Sequence, residues 1–143
     1  MLEERYRQEF LTLQQQLECQ VVLPPEWTDR YFHESGVMPT SHGERRGFVR
    51  HAYRTKAVLS IEQSLPAVPR EPAVVAVYAR DISRTGVGFL HTEQLYPGET
   101  CRLMLPTQAV SITVANCRKL NRQCYLIGAR FSAERNGNVA ERN

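Results

Sequence analysis

Two short stretches of the chain carry residue types that can engage an anionic, nitrogen-rich ligand. The first is Glu44-Arg45-Arg46-Gly47-Phe48-Val49-Arg50, where Arg45, Arg46 and Arg50 crowd together. A guanidinium is a planar, permanent cation; its fork of donors matches phosphate oxygens, pairs with the O6/N7 edge of guanine and stacks on a purine face. The second is Asp81-Ile82-Ser83-Arg84-Thr85-Gly86, after the β-branched run Val74-Val75-Ala76-Val77-Tyr78. On a strand, residues two apart share a side, so Asp81 and Ser83 are expected to present a carboxylate and a hydroxyl together while Ile82 turns to the core. The carboxylate can accept from guanine N1–H and N2–H₂. Gly86 is expected at positive φ, letting the chain turn back into Val87-Gly88-Phe89-Leu90.

Each stretch has an ordinary reading when taken alone. Arginine runs at the edge of a domain are usually solvated, and Asp, Ser and Gly together close hairpin turns with no ligand involved. The rest of the sequence offers no rival chemistry. The cysteines Cys19, Cys101, Cys117 and Cys124 contain no CxxC pair, and His33, His42, His51 and His91 lie at no zinc-ligand spacing, so neither a metal nor any other cofactor is expected. Ser83 beside Asp81 lacks a nearby histidine to act as a base, and no phosphate loop occurs, so an enzyme is not expected. A net charge of +3 is mild for a binder of polymeric nucleic acid.

The elements that must position these residues follow from periodicity. Residues 2 to 18 lack Gly and Pro and place Leu2, Tyr6, Phe10, Leu13 and Leu17 on one helical face, predicting an amphipathic helix that packs on the rest of the domain or, as a second choice, forms a dimer seam. Pro24-Pro25 ends it, and Trp27, Tyr31 and Phe32 follow in a short irregular segment. Gly36 to Gly43 reads as a linker. Beyond it, alternation predicts strands near 51–61, 74–82, 86–92, 100–106, 109–118 and 123–132, with a proline-rich exposed loop at 63–72 and a turn at Pro97-Gly98. The expected fold is mainly β, a six-stranded antiparallel β-barrel with an N-terminal helix. Residues 1–43 form an extension and linker, 44–132 the barrel domain, and 133–143 a polar, fraying tail. No apolar run reaches bilayer length and no secretory signal opens the chain, so the cytoplasm is the expected compartment, with reduced cysteines.

Arg46 and Arg50 fit R-x-x-x-R, and Asp81, Ser83 and Gly86 fit D/N-x-S-x-x-G about thirty residues later. This pair, in this order at the edge of a six-stranded β domain, resembles the PilZ family. Gly86-Val87-Gly88-Phe89, Leu95-Tyr96-Pro97-Gly98 and Ile127-Gly128-Ala129-Arg130-Phe131 extend the likeness over residues 44 to 132. The resemblance implies a receptor whose barrel mouth holds cyclic di-GMP, with the arginine segment wrapping the ligand against the D-x-S platform. It assigns Arg45, Arg46, Arg50, Asp81, Ser83 and Gly86 to that ligand, and an arginine at position 45 implies two stacked ligands per chain. Output through the N-terminal region to a separate protein partner is expected, and the oligomeric state stays open. The alternatives are a barrel that binds nucleic acid through its arginines, or a protein-interaction module without cyclic di-GMP. Many family members carry a C-terminal helix; the short tail departs from that pattern, and whatever that helix does elsewhere is expected to be absent here or assigned to residues 2 to 18.

Overall fold

Side chains two apart along a strand share a face, and one such set from each strand points into the barrel. Ala57 and Leu59, Val77 and Ala79, Val87 and Phe89, Leu103, Ile112 and Val114, and Ile127 and Ala129 converge on one buried cluster. The strands that carry them are β1 (His51–Gln63), β2 (Val74–Ile82), β3 (Gly86–His91), β4 (Thr100–Met104), β5 (Ala109–Asn121) and β6 (Cys124–Phe131). All pairings are antiparallel, and they close a barrel in the order β1-β2-β3-β6-β5-β4. Closure of β1 on β4 satisfies both sheet edges internally. The structure is a computed structural model describing residues 2–27, 30–38, 49–71 and 73–132.

Strand ends depart from the sequence expectation for local reasons. β4 stops at Met104 because Pro106 follows and Leu105 N–H donates to Gln108 O across a tight turn, at 2.8 Å. β5 runs on to Asn121, whose Oδ1 accepts from Gln123 N–H at 2.9 Å and so closes a two-residue hairpin into β6. Gly98 lies at φ 99° in the Pro97-Gly98 turn, as that pair predicts. The proline-rich loop is exposed at most positions, but Arg70 pins it. That guanidinium pairs with Glu99, which is fully buried, and also donates to Gln94 O at 2.8 Å. Tyr96 N–H donates to the same carboxylate at 2.7 Å. Burial pushes the Glu99 carboxyl up, but the Arg70 and Tyr96 hydrogen bonds and the Arg70 charge outweigh it and hold the group below its ordinary value.

The N-terminal elements clothe the outer wall of the barrel. Helix α1 (Leu2–Gln16) lays Phe10 on Val58 and Met104, with Tyr6, Leu13 and Leu17 around them, and Tyr6 donates to Leu105 O at 2.6 Å. Four of the five residues named for the helical face are thus seen packing on the barrel. A second outer cluster joins Val21, Tyr31, Leu90 and Cys124. Tyr31, in the short 3-10 turn Tyr31–His33, is 1% exposed and donates to Ala79 O at 2.6 Å. Residues 36–38, expected as unpaired linker, instead pair with the start of β1: Val37 bridges His51, Met38 N–H donates to Arg50 O, and Ala52 N–H donates to Gly36 O. Gly36, at φ 88°, makes the bend that permits this. Residues 39–48 and the 133–143 tail lie outside the described residues.

Candidate ligand-binding site

Four residues form one row across the outer wall of β2, β3, β6 and β5. Asp81 pairs with Gly88, Gly88 with Gly128, and Gly128 with Asn116. Their chain neighbours Val87, Phe89, Ile127 and Ala129 point inward, so this row faces out of the barrel. With no side chains at its two central positions, the row is a trough. A Cβ at Gly88 would sit 2.6 Å from Asp81 Oδ2, and one at Gly128 would sit 2.8 Å from Asn116 Oδ1. The two walls therefore lean in over a floor that only glycine leaves open. A register shift precedes each wall residue, at Ala79/Asp81 on β2 and at Val114/Asn116 on β5, and such bulges turn a side chain out of the regular alternation.

The trough opens into a groove of about 570 Å³ whose charged lining residues are Arg50, Arg80, Arg118, Arg130 and Asp81. Asp81 is 1% exposed, yet both carboxylate oxygens are engaged. Arg50 Nη1 donates to Oδ1 at 3.2 Å and Arg80 Nη1 to Oδ2 at 2.8 Å. A buried carboxylate held by two guanidiniums is charge-compensated, and the remaining cations at the rim favour an anion. The sequence expectation put the ligand at the barrel mouth, whereas the groove lined by these residues lies on the outer wall.

Ser83 follows the end of β2. Its Oγ accepts from Thr85 N–H and Gly86 N–H, both at 3.2 Å, so the hydroxyl closes the β2–β3 turn at the groove edge. The turn reading and the groove-lining position coexist in this residue, which also borders the cavity. Ile82 packs against the core cluster as expected. Gly86 requires a correction. It does not adopt positive φ; glycine is needed there because a Cβ would meet Ala129 O at 2.2 Å, at the β3–β6 pairing. Close strand approach, not turn geometry, fixes that residue. Arg45 and Arg46 lie outside the described residues, so of the arginine motif only Arg50 is placed.

Sequence reasoning missed several residues that the fold brings here. Arg80, read only as strand, contacts Asp81 and also lies 5.5 Å from the centre of the Trp27 ring. Arg54 stacks on Tyr31 at 4.7 Å, in a second cavity of about 340 Å³ that Arg80 also lines. Burial, reinforced by the Arg80 charge, lowers the Arg54 pKa, and burial raises that of Tyr31. Asn116 carried no motif at all; its place opposite Asp81 arises only from strand register.

The comparison with known proteins agrees with this geometry. A family model for the PilZ domain matches residues 44–141, from the arginine segment through β6 and beyond. No curated protein matches the chain. With Arg50 of the arginine motif meeting Asp81 of the D-x-S-x-x-G motif on a closed six-stranded barrel, and the match covering most of the sequence, the chain belongs to the PilZ domain family.

Proposed function

We propose that this chain is a cyclic di-GMP receptor that holds the ligand in the groove above Gly88 and Gly128 and signals through its N-terminal region. The family is one of cyclic di-GMP-binding domains and not of enzymes. The observation that carries the reading is the 3.2 Å contact of Arg50 with Asp81, which joins the two motifs at one end of a cationic groove. Cyclic di-GMP carries two phosphates and two guanines, so a site needs fixed cations beside base-reading acceptors. Arg45, Arg46 and Arg50 supply the first, Asp81 the second, and Ser83 and Gly86 shape the turn against which the ligand rests.

Signalling follows from who holds Asp81. Its partner Arg80 is shared with Trp27, so a ligand that draws on the carboxylate alters what supports the aromatic segment. The output is a changed N-terminal surface offered to a separate protein. Among the described residues no helix is long and apolar enough to cross a membrane. We place the receptor in the cytoplasm, where its free cysteines stay reduced.

Isothermal calorimetry with cyclic di-GMP tests the reading. Wild type binds, at two ligands per chain, and Arg46→Ala or Arg50→Ala weakens binding roughly ten- to a hundredfold, the worth of a charge-assisted hydrogen bond. A shallow salt dependence separates a dinucleotide from polymeric nucleic acid, whose binding falls steeply through counterion release. No heat of binding, or unchanged affinity in both variants, would sink the assignment.

A further inference from the structure

The wall opposite Asp81 is built as deliberately as Asp81 itself. Asn116 ends the four-residue row on β5, and the bulge before it turns its side chain to the outer face between the inward Val114 and Cys117. All three terminal atoms of its amide lie 2.8 to 3.2 Å from the point where a Gly128 Cβ would stand, so the amide covers that glycine as the Asp81 carboxylate covers Gly88. Unlike Asp81, it makes no hydrogen bond to any described residue, leaving one acceptor and two donors uncommitted at the groove wall. An exposed asparagine on a strand is ordinarily just solvated. Here the facing position has been cleared to glycine, and the amide leans over a cationic trough.

We propose that Asn116 reads the N7/O6 edge of the guanine whose N1/N2 edge Asp81 reads, making it a specificity-determining residue of the groove. The inference rests on the receptor reading above. The chemistry follows from the base: guanine offers donors N1–H and N2–H₂ along one side, and the acceptor N7, with O6 beside it, across the ring. A carboxylate suits the first edge and an amide N–H suits the second. Asp81 and Asn116 start three strand spacings apart, about 14 Å between Cα atoms, and each leans inward over its glycine. That leaves their polar tips roughly 5–10 Å apart, the upper end of which admits one planar base held between them above the two covered glycines. Adenine meets such a pair poorly, because it has no N1–H for Asp81.

Calorimetry on wild type, Asn116→Ala and Asn116→Asp, each with cyclic di-GMP and with its bis-7-deazaguanine analogue, tests this. Asn116→Ala should bind cyclic di-GMP about tenfold more weakly, and Asn116→Asp more weakly still, since it turns an acceptor toward N7 and O6. Wild type should lose a similar factor on the analogue, whereas Asn116→Ala should not distinguish the two ligands. Melting temperatures should match wild type, because the amide bonds none of the described residues in the free protein. Unchanged affinity in both variants overturns the inference, as does equal loss on the analogue in wild type and Asn116→Ala, which would mean that Asn116 shapes the groove without touching N7. Failure of wild type to bind cyclic di-GMP overturns the receptor reading itself. Wild-type binding with indifferent Asn116 variants overturns only this one.

Discussion

Arg80 and Asp81 are neighbours in the chain whose side chains close on each other, Nη1 to Oδ2 at 2.8 Å, although regular alternation would send them to opposite faces. The bulge at this point brings them together and leaves the rest of the guanidinium over Trp27. One arginine thereby touches both the groove carboxylate and the segment that leads into the barrel.

Trp27 is the only tryptophan, so its fluorescence reports this contact without labelling. Saturating cyclic di-GMP should change the intensity or wavelength of its emission. In Arg80→Ala the change should vanish at ligand concentrations that calorimetry shows to be saturating. A wild-type spectrum indifferent to bound ligand would disprove the coupling.

The groove glycines separate binding from stability. Gly88→Ala drives a methyl into Asp81 Oδ2, a side-chain atom that can swing aside at the expense of its arginine pairs. It should cost about 1–2 kcal/mol of stability and most of the ligand affinity. Gly86→Ala meets the backbone oxygen of Ala129, which cannot swing, and should cost about 3 kcal/mol or more. Urea melts of the two variants check the order; equal losses would contradict it.

Arg70 and Glu99 hold the proline-rich loop to the barrel. Arg70→Ala leaves a fully buried carboxylate with only the Tyr96 amide, and should destabilise by about 3–5 kcal/mol. The double variant Arg70→Met/Glu99→Leu should recover much of that, since it removes the stranded charge. Denaturant midpoints of the two proteins would show the difference, and a double variant no better than Arg70→Ala would refute it.

His91 adds an acid limit. It is 6% exposed, its Nδ1 accepts from Thr92 N–H at 2.8 Å, and burial, with the Arg70 charge second, pushes its pKa down from 6.5 to about 4. The unfolded chain binds a proton here before the folded one does. The histidine therefore contributes fully above pH 6.5, and that contribution falls as pH drops toward 4, by on the order of 3 kcal/mol. His91→Gln should flatten the stability profile between those two pH values. An unchanged slope in the variant would remove His91 from the account.

The barrel was legible because its signal is local. The β-branched run Val74–Tyr78 and the alternation of glycine with apolar residues in Gly86–Phe89 mark strands whatever their partners, and Phe10 and Leu13 mark a helical face. Motif spacing likewise singles out Arg50 and Asp81, which meet in the fold. What stayed hidden depends on register. Asn116 faces Asp81 only because two bulges and two intervening glycines line up across four strands, and a single sequence does not state register between β3 and β6. At Gly86 a tight turn and a close strand crossing ask for the same residue, and only the β3–β6 pairing tells them apart. Arg70 read as loop, since its buried partner Glu99 lies far along the chain.

The pairing of residues 36–38 with the start of β1 bears on the entropy of ligand capture. Met38 N–H bonds Arg50 O and Ala52 N–H bonds Gly36 O, both at 2.8 Å, so the chain leaves and rejoins the barrel at one point. For the roughly eleven residues between, the length-dependent part of closing such a loop is about 2 kcal/mol. Folding of the barrel has already met that requirement before any ligand arrives. On the receptor reading proposed above, Arg46 stands four residues from Arg50, which contacts Asp81, and the chain between them spans at most about 14 Å. Severing the Gly36–Met38 pairing should therefore weaken capture without removing a single arginine.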